Sequence, residues 1–181
     1  MSTATETRAY VIDASHSSAD FSVRHLVISK VRGSFRTLSG TLAVGEDGIP
    51  ASITAEIDAT SIDTREPQRD GHLRSEDFLH VEAHPTLTFA STKVTASDAT
   101  HFSIEGNLTL RGATKPVTLA GELEGRAKDP WGNDRVAYSA KTRINRKDFG
   151  LVWSQTLETG GLMVGEDVDI ELSIQAIPAP N

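Results

Sequence analysis

The stretch Arg69-Asp70-Gly71-His72-Leu73-Arg74-Ser75-Glu76-Asp77-Phe78-Leu79 decides the reading of this chain. It gathers Asp, His, Arg and Glu around a few apolar side chains, and it is the one place where the pattern turns helical. Before and after it, apolar residues recur with period 2, as in half-buried strands. One polar helical segment, about residues 66–79, set into a β chain predicts a barrel with a lid or plug. Asp63 or Thr64 is placed to cap it, and Glu66-Pro67 fit its first turn. Ser75 reads as the cap of a second short turn, with Pro85 marking the exit. The function is therefore expected to concern the inside of the barrel.

Working outward, Tyr10-Val11-Ile12-Asp13 reads as a short strand. Ser17 to Leu26 puts Phe21, Val23 and His25 on one face. Val31 to Val44 reads as one long strand with Gly33 and Gly40 as bends or bulges. Glu46-Asp47-Gly48-Ile49-Pro50 is a turn, and Ile53, Ala55, Ile57 and Ala59 then alternate with polar residues. Beyond the helical patch, strands are expected at 86–96, 101–110, 116–128, 135–146 and 168–177. Their apolar faces carry Leu87 and Phe89; then Phe102, Ile104, Gly106, Leu108 and Leu110; then Val117, Leu119, Gly121, Leu123 and Gly125. The last two carry Val136, Tyr138, Ala140, Thr142 and Ile144, and Val168, Ile170, Leu172, Ile174 and Ala176. Between these two lies an irregular segment, 147–167, holding Phe149, Leu151, Trp153 and Leu162. Short turns join neighbours directly, so the chain is all-β, an antiparallel meander of eight or nine strands that closes most readily into a barrel. The domain is expected over residues 8–177, with flexible termini at 1–7 and 178–181. The apolar faces mix large residues with Ala55, Ala59, Gly106, Gly121, Gly125, Ala140 and Ala176. Small residues inside a barrel leave room for an apolar guest, or else mark bends under the helix.

The totals exclude several classes. A net charge of −7 over 181 residues leaves no basic stripe to displace counterions, so nucleic acid is not an expected partner. No cluster of Lys or Arg in the sequence suggests attraction to anionic lipid. There is no apolar run for a signal peptide or an integral membrane segment, so the cytoplasm is the expected compartment. Without cysteine there is neither a disulfide framework nor a thiolate site.

Chemistry-bearing residues are few. Asp70 and Arg74 stand at i,i+4 and can pair; Asp70 and His72, two apart, do not share a helix face. His25 shares a face with Phe21 and Val23, so it is a hydrogen-bonded interior residue or a polar anchor for a ligand's head group. His80 and His84 lack an evident third ligand, and Pro85 biases His84 away from helix, so neither a metal nor a cofactor is expected. Trp131 and Trp153 fall in loops, where they cover a barrel end or gate it.

Ordered pieces of the chain resemble a known family. They include Tyr10-Val11-Ile12-Asp13, Phe21-Ser22-Val23-Arg24-His25-Leu26, Val31-Arg32-Gly33-Ser34-Phe35 and the 69–79 stretch. His84-Pro85-Thr86-Leu87-Thr88-Phe89, Gly106-Asn107-Leu108-Thr109-Leu110-Arg111-Gly112, Arg146-Lys147-Asp148-Phe149-Gly150 and Val164-Gly165-Glu166-Asp167-Val168 follow. Together they resemble the YceI family of bacterial lipocalin-like proteins that bind polyisoprenoid chains. The resemblance implies an extended eight-stranded antiparallel lipocalin-like barrel around an apolar tunnel, a lipid tail inside it, and a homodimer.

The leading expectation is non-catalytic binding of a long isoprenoid-type lipid for carriage, storage or transport. Strand parity puts Phe21, Val23, Phe35, Ile57, Phe89, Phe102, Ile104 and Leu108 on the wall, with His25 as the polar contact. Two alternatives stand beside it. One is an enzyme on a small apolar or isoprenoid substrate using His25 with Asp70 or His72. The other is a dimeric interaction module whose barrel is filled by its own side chains.

Overall fold

The alternation of the sequence is built into a closed antiparallel ladder. A computed structural model describes residues 6–155 and 163–181; Leu162 and residues 1–5 lie outside the described residues. Strands β1 (Thr7–Ile12) and β2 (Ser18–His25) are two arms of one bent strand, as are β3 (Ser29–Phe35) and β4 (Leu38–Gly45). β5 (Pro50–Asp58) follows, then the two-residue β6 (Ile62–Asp63) and the helix α1 (Pro67–Arg74). The meander resumes with β7 (Thr86–Ala96), β8 (His101–Leu110), β9 (Ala113–Lys128), β10 (Asp134–Asn145) and β11 (Val164–Pro178).

β11 closes the barrel by pairing with both arms of the first bent strand. Ala176 stands opposite Ile12 in β1, and Ile170 opposite Phe21 in β2. With each bent pair counted once, eight strands go round, and the expected all-β barrel with one helix is the observed architecture. β5 pairs with β4 but not with β3. β6 takes over beside β3 for two residues only, at Ser34 and Phe35. The wall is therefore incomplete beside β3, and α1 sits next to that gap through its contact with β6.

Three expectations about the strands are corrected. The long strand over 31–44 is broken at Arg36-Thr37, where the chain bends. Gly33 and Gly40 are not bulges but close approaches: a Cβ on Gly33 would lie 2.5 Å from the ring of Phe21, and one on Gly40 2.4 Å from the Thr54 carbonyl. The bulges lie elsewhere. One falls at Thr92, between the pairs Ser91–Gly106 and Lys93–Glu105; another falls at Glu124, between Ala137–Gly125 and Tyr138–Leu123. Each bulge shifts parity by one. Val94 therefore turns into the core, and Gly125 turns out to solvent instead of sharing the inner face with Leu123.

α1 exists but is shorter than the 66–79 expected. Its N-cap is Glu66, whose carboxylate accepts from the N–H groups of Gln68 and Arg69, with Pro67 in the first turn. Asp63 accepts from Arg65 and Arg36 instead of capping α1. Ser75 ends the helix, its hydroxyl donating to the His72 carbonyl, and residues 76–79 and 81–83 form turns. Asp70 and Arg74 do not pair. The buried Asp70 carboxylate accepts from both the N–H and the hydroxyl of Thr64, while Arg74 donates to the carbonyls of Thr60 and Ile62. These bonds tie the helix to the barrel rim.

The core divides into two clusters. Leu42, Val44, Ile49, Phe102, Ile104, Leu119, Val136 and Tyr138 fill one end, under the β4–β5 turn. Ile62, Phe78, Leu79, Leu110, Ile144, Phe149 and Leu151 fill the other, under α1.

At the bend between β1 and β2, Asp13 caps a single 3-10 turn through Ser15 and receives the guanidinium of Arg135 at 2.7 Å. These donors hold its carboxyl well below the usual carboxylate range, the Arg135 bond first among them. Because the folded pKa is the lower one, the stabilisation is complete at neutral pH and is lost as pH falls through the carboxylate range. Asp13→Ala is expected to cost about 1–2 kcal/mol at pH 7, measured by urea unfolding, and progressively less below about pH 4.

A candidate lipid tunnel

Inside the barrel lies a cavity of about 640 Å³, within the range of small-molecule sites. All nine residues picked out by parity line it: Phe21, Val23, His25, Phe35, Ile57, Phe89, Phe102, Ile104 and Leu108. Leu38, Leu42, Val117, Leu119, Ile170 and Ile174 extend the same apolar wall. The interior is thus not filled by its own side chains.

The glycines contribute differently from expectation. Gly33, Gly106 and Gly121 do not leave free space; each receives the ring of a phenylalanine. A Cβ would lie 2.5 Å from Phe21, 2.4 Å from Phe89 and 2.3 Å from Phe102, respectively. Phe21 is the direct cross-strand partner of Gly33, and Phe102 of Gly121. The missing side chains let three rings lie flat along the wall, and this keeps the rings out of the lumen. Among the small residues, Ala55, opposite Phe89, does border the cavity, as does Ala140.

The two ends differ. At the β4–β5 turn, Tyr138 is buried and donates its hydroxyl to the Gly48 carbonyl at 2.6 Å, and Pro50 is fully enclosed. Burial raises the Tyr138 pKa, so the phenol stays protonated and keeps donating. Gly48 at φ +85° lets this turn fold over the barrel end, with Arg126 reaching the Glu46 carbonyl beside it. At the opposite end the lining becomes polar: Arg24, His25, Glu66, Gln68, Arg69 and His72 gather there with Trp153 and Met163. This is the mouth.

Arg146 organises the mouth from within. It is 3% exposed, and among the described residues no carboxylate forms an ion pair with it; the nearby Glu166 is taken by Lys147. Its guanidinium donates to the carbonyls of Leu151, Trp153, Gly165 and Val164, at 2.6, 2.8, 2.8 and 3.3 Å. Desolvation lowers its pKa. One side chain thus joins the segment after β10 to the start of β11. Trp153, held by that bond, packs edge-on to His72 and against Phe78, with ring centroids 4.7 and 5.3 Å away. The sequence reading missed this use of Arg146, because an arginine that closes an apolar strand gives no local sign of which distant carbonyls it will meet.

Catalytic constellations do not assemble among the described residues. Asp70 spends its Oδ1 on Thr64 and does not line the cavity, so it is not brought to His25. His72 lines the mouth, with Nε2 bound to Asp77 at 2.8 Å. Asp13, Ser15 and His16 cluster, but Asp13 and Ser15 meet the same imidazole nitrogen, Nδ1. A nucleophile triad needs them on opposite nitrogens. His80 and His84 stack edge to face at 5.7 Å, and no third ligand completes a metal cluster among the described residues. Trp131 is exposed on the β9–β10 turn, away from the mouth.

A closed eight-stranded antiparallel barrel with an apolar lumen, plugged at one end and polar at the other, defines the class as a barrel built around an internal cavity. The comparisons make the family specific. Residues 10–176 match the YceI-like domain, and the chain belongs to that family. It is 38% identical over 166 residues to a UPF0312 protein of Pectobacterium atrosepticum, covering 91% of this chain and 83% of the relative. It is 37% identical over 171 residues to protein YceI of Escherichia coli O157:H7, covering 93% and 86%. Among solved structures, the Campylobacter jejuni YCEI protein superposes with a TM-score of 0.75 at 26% identity, covering 87% of this chain and 90% of that one. The fold is shared with BcnA of Burkholderia cenocepacia, TM-score 0.78 at 17% identity over 91% and 98%. It is also shared with a protein described as a polyisoprenoid binding domain from Saccharophagus degradans, TM-score 0.70 at 17% identity over 95% and 99%.

Arg146→Met should leave the mouth carbonyls without their donors and destabilise the fold by about 3 kcal/mol in urea titration. Arg146→Lys should recover only part of this, because one ammonium cannot span four carbonyls in three directions.

Proposed function

We propose that this chain is a non-catalytic carrier for the hydrocarbon tail of a long isoprenoid-type lipid, held in the barrel lumen. The observation that carries the reading is the unfilled cavity, whose wall is mostly apolar and whose polar lining residues gather chiefly at the mouth. The description of the Saccharophagus degradans neighbour as polyisoprenoid binding supports the same ligand class.

Binding rests on removal of hydrocarbon from water. Each buried CH₂ contributes about 0.8 kcal/mol, so a tail needs few polar contacts to be held. Phe21, Val23, Phe35, Ile57, Phe89, Phe102, Ile104 and Leu108 are the proposed tail contacts. His25, half-buried where the lining turns polar, is the proposed contact for the head group. Affinity should therefore follow chain length steeply and head-group chemistry weakly.

Ala55→Trp is the test. The indole would enter the lumen opposite Phe89, whereas the same change at Gly106 would strike the Phe89 ring and disturb the wall itself. In native mass spectrometry the parent protein is expected to hold a polyprenyl or isoprenoid-quinone mass, and Ala55→Trp to be folded and empty. A parent protein that stays empty when isoprenoids are offered would sink the carrier reading.

A further inference from the structure

The hairpin between β2 and β3 presents its most apolar residues to solvent. Leu26, Val27 and Ile28 are 37%, 56% and 85% exposed, although nothing in the hairpin ladder requires apolar residues there. Leu26 and Val27 both lie in the left-handed region, at φ +54° and +68°. Turn positions of this kind favour Asn and Gly, and a β-branched residue is strained there. The chain therefore keeps a leucine and a valine where the backbone disfavours them and water surrounds them.

The position is specific. His25, at the foot of the tip, lines the mouth of the cavity, and the Leu26 N–H donates to the carbonyl of Met163, another mouth residue. Val152, next to Trp153 of the mouth, is 63% exposed. Apolar side chains thus stand in solvent beside the opening.

The two strands of the hairpin carry charge of one sign near the tip. Residues 21–45 contain Arg24, Lys30, Arg32 and Arg36 and no carboxylate, in a chain of net charge −7. Arg24 stands directly opposite Lys30 in the ladder, a like-charged pair that is unfavourable without a counter-charge, and Arg32 is one outward position further along. Of the neighbouring acids among the described residues, Asp169 reaches Lys30 only at 3.8 Å and is already held by Arg143 at 2.7 Å; Glu166 is paired with Lys147 and Asp63 with Arg36. The fold assembles a basic collar that is not visible as a run in the sequence, where these residues stand six and two positions apart.

We propose that this tip is a membrane-docking site: Leu26, Val27 and Ile28 enter the interface of an anionic bilayer while Arg24, Lys30 and Arg32 meet its head groups. The mouth is then set against the lipid surface, so a tail can pass between bilayer and barrel without crossing water. The inference builds on the carrier reading, which supplies the cargo, but the docking contact is tested separately.

The discriminating variant is L26N/V27G/I28S. It removes the apolar tip and also gives the turn residues suited to its backbone, so its melting temperature should equal or exceed that of the parent. Flotation would be measured with phosphatidylcholine vesicles with and without phosphatidylglycerol. The parent should bind only the anionic vesicles, and the variant should bind them about tenfold or more weakly while keeping its lipid load in native mass spectrometry. Arg24→Gln with Lys30→Gln should abolish the dependence on phosphatidylglycerol. A parent that binds neither vesicle, or a variant that binds as well as the parent, would overturn the proposal. A variant that changes from dimer to monomer with unaltered vesicle binding would assign the tip to a second copy of the chain and also overturn it. If the parent docks but carries no lipid, docking stands and the carrier reading falls.

Discussion

The structure depends on β11 reaching both arms of the first bent strand. Once Ala176 is opposite Ile12 and Ile170 opposite Phe21, the ladder has no free ends around most of its circumference, and alternation acquires an absolute sense. In an open sheet, a slip of one residue in one strand exchanges its two faces at modest cost; in a closed barrel it breaks the register on both sides. Closure converts a pattern of alternating residues into an inside and an outside. It also explains where the barrel is weak. Of the two arms β3 and β4, β5 runs along β4 alone, so β3 needs another neighbour, and β6 with α1 supplies it for only a short distance. The mouth sits at this gap in the wall.

Closure by itself would give either a filled core or a lumen, and the choice lies in the pairing of phenylalanine with glycine. Three rings lie over Gly33, Gly106 and Gly121 instead of pointing to the barrel axis. The wall is thereby smoothed by aromatic faces, and the volume lost to the rings is taken from the missing side chains of their neighbours. A methyl group at any of these glycines would push a ring inward. The small residues therefore act on the lumen indirectly, by directing rings, while Ala55 borders it.

Much of this was legible beforehand because a barrel strand is described by one parity. Phe21, Val23 and His25, or Phe102, Ile104 and Leu108, reach the wall as read, with no knowledge of their partners. Parity failed where the ladder gains a residue. Thr92 lies between Ser91 and Lys93, and Glu124 is followed by a glycine that shows no facing, so the bulges that turn Val94 inward and Gly125 outward leave no mark on the hydrophobic pattern. The helix was legible and its caps were not. Asp63, Thr64 and Glu66 can all cap, and which one does so is decided by Arg36 claiming Asp63 and Asp70 claiming Thr64. Arg146 and the basic collar were hidden for the same reason: their meaning lies in residues that only the fold brings near.

The two barrel ends show opposite treatment of the same physical problem. At the β4–β5 turn, every departure from ordinary geometry is satisfied. Gly48 takes the positive φ at no steric cost, its carbonyl is bound by Tyr138, and the surrounding apolar residues are buried. At the β2–β3 tip the departures are left standing: positive φ at leucine and valine, apolar side chains in water, and arginine facing lysine. A fold that can seal one end this completely is not short of means to relax the other. Strain, exposure and repulsion coinciding on one hairpin, beside the mouth and nowhere near the plug, make sense if one partner accounts for all three. An apolar phase bordered by negative charge relieves the exposure and the repulsion at once, and it accounts for the retention of bulky residues where the backbone favours small ones.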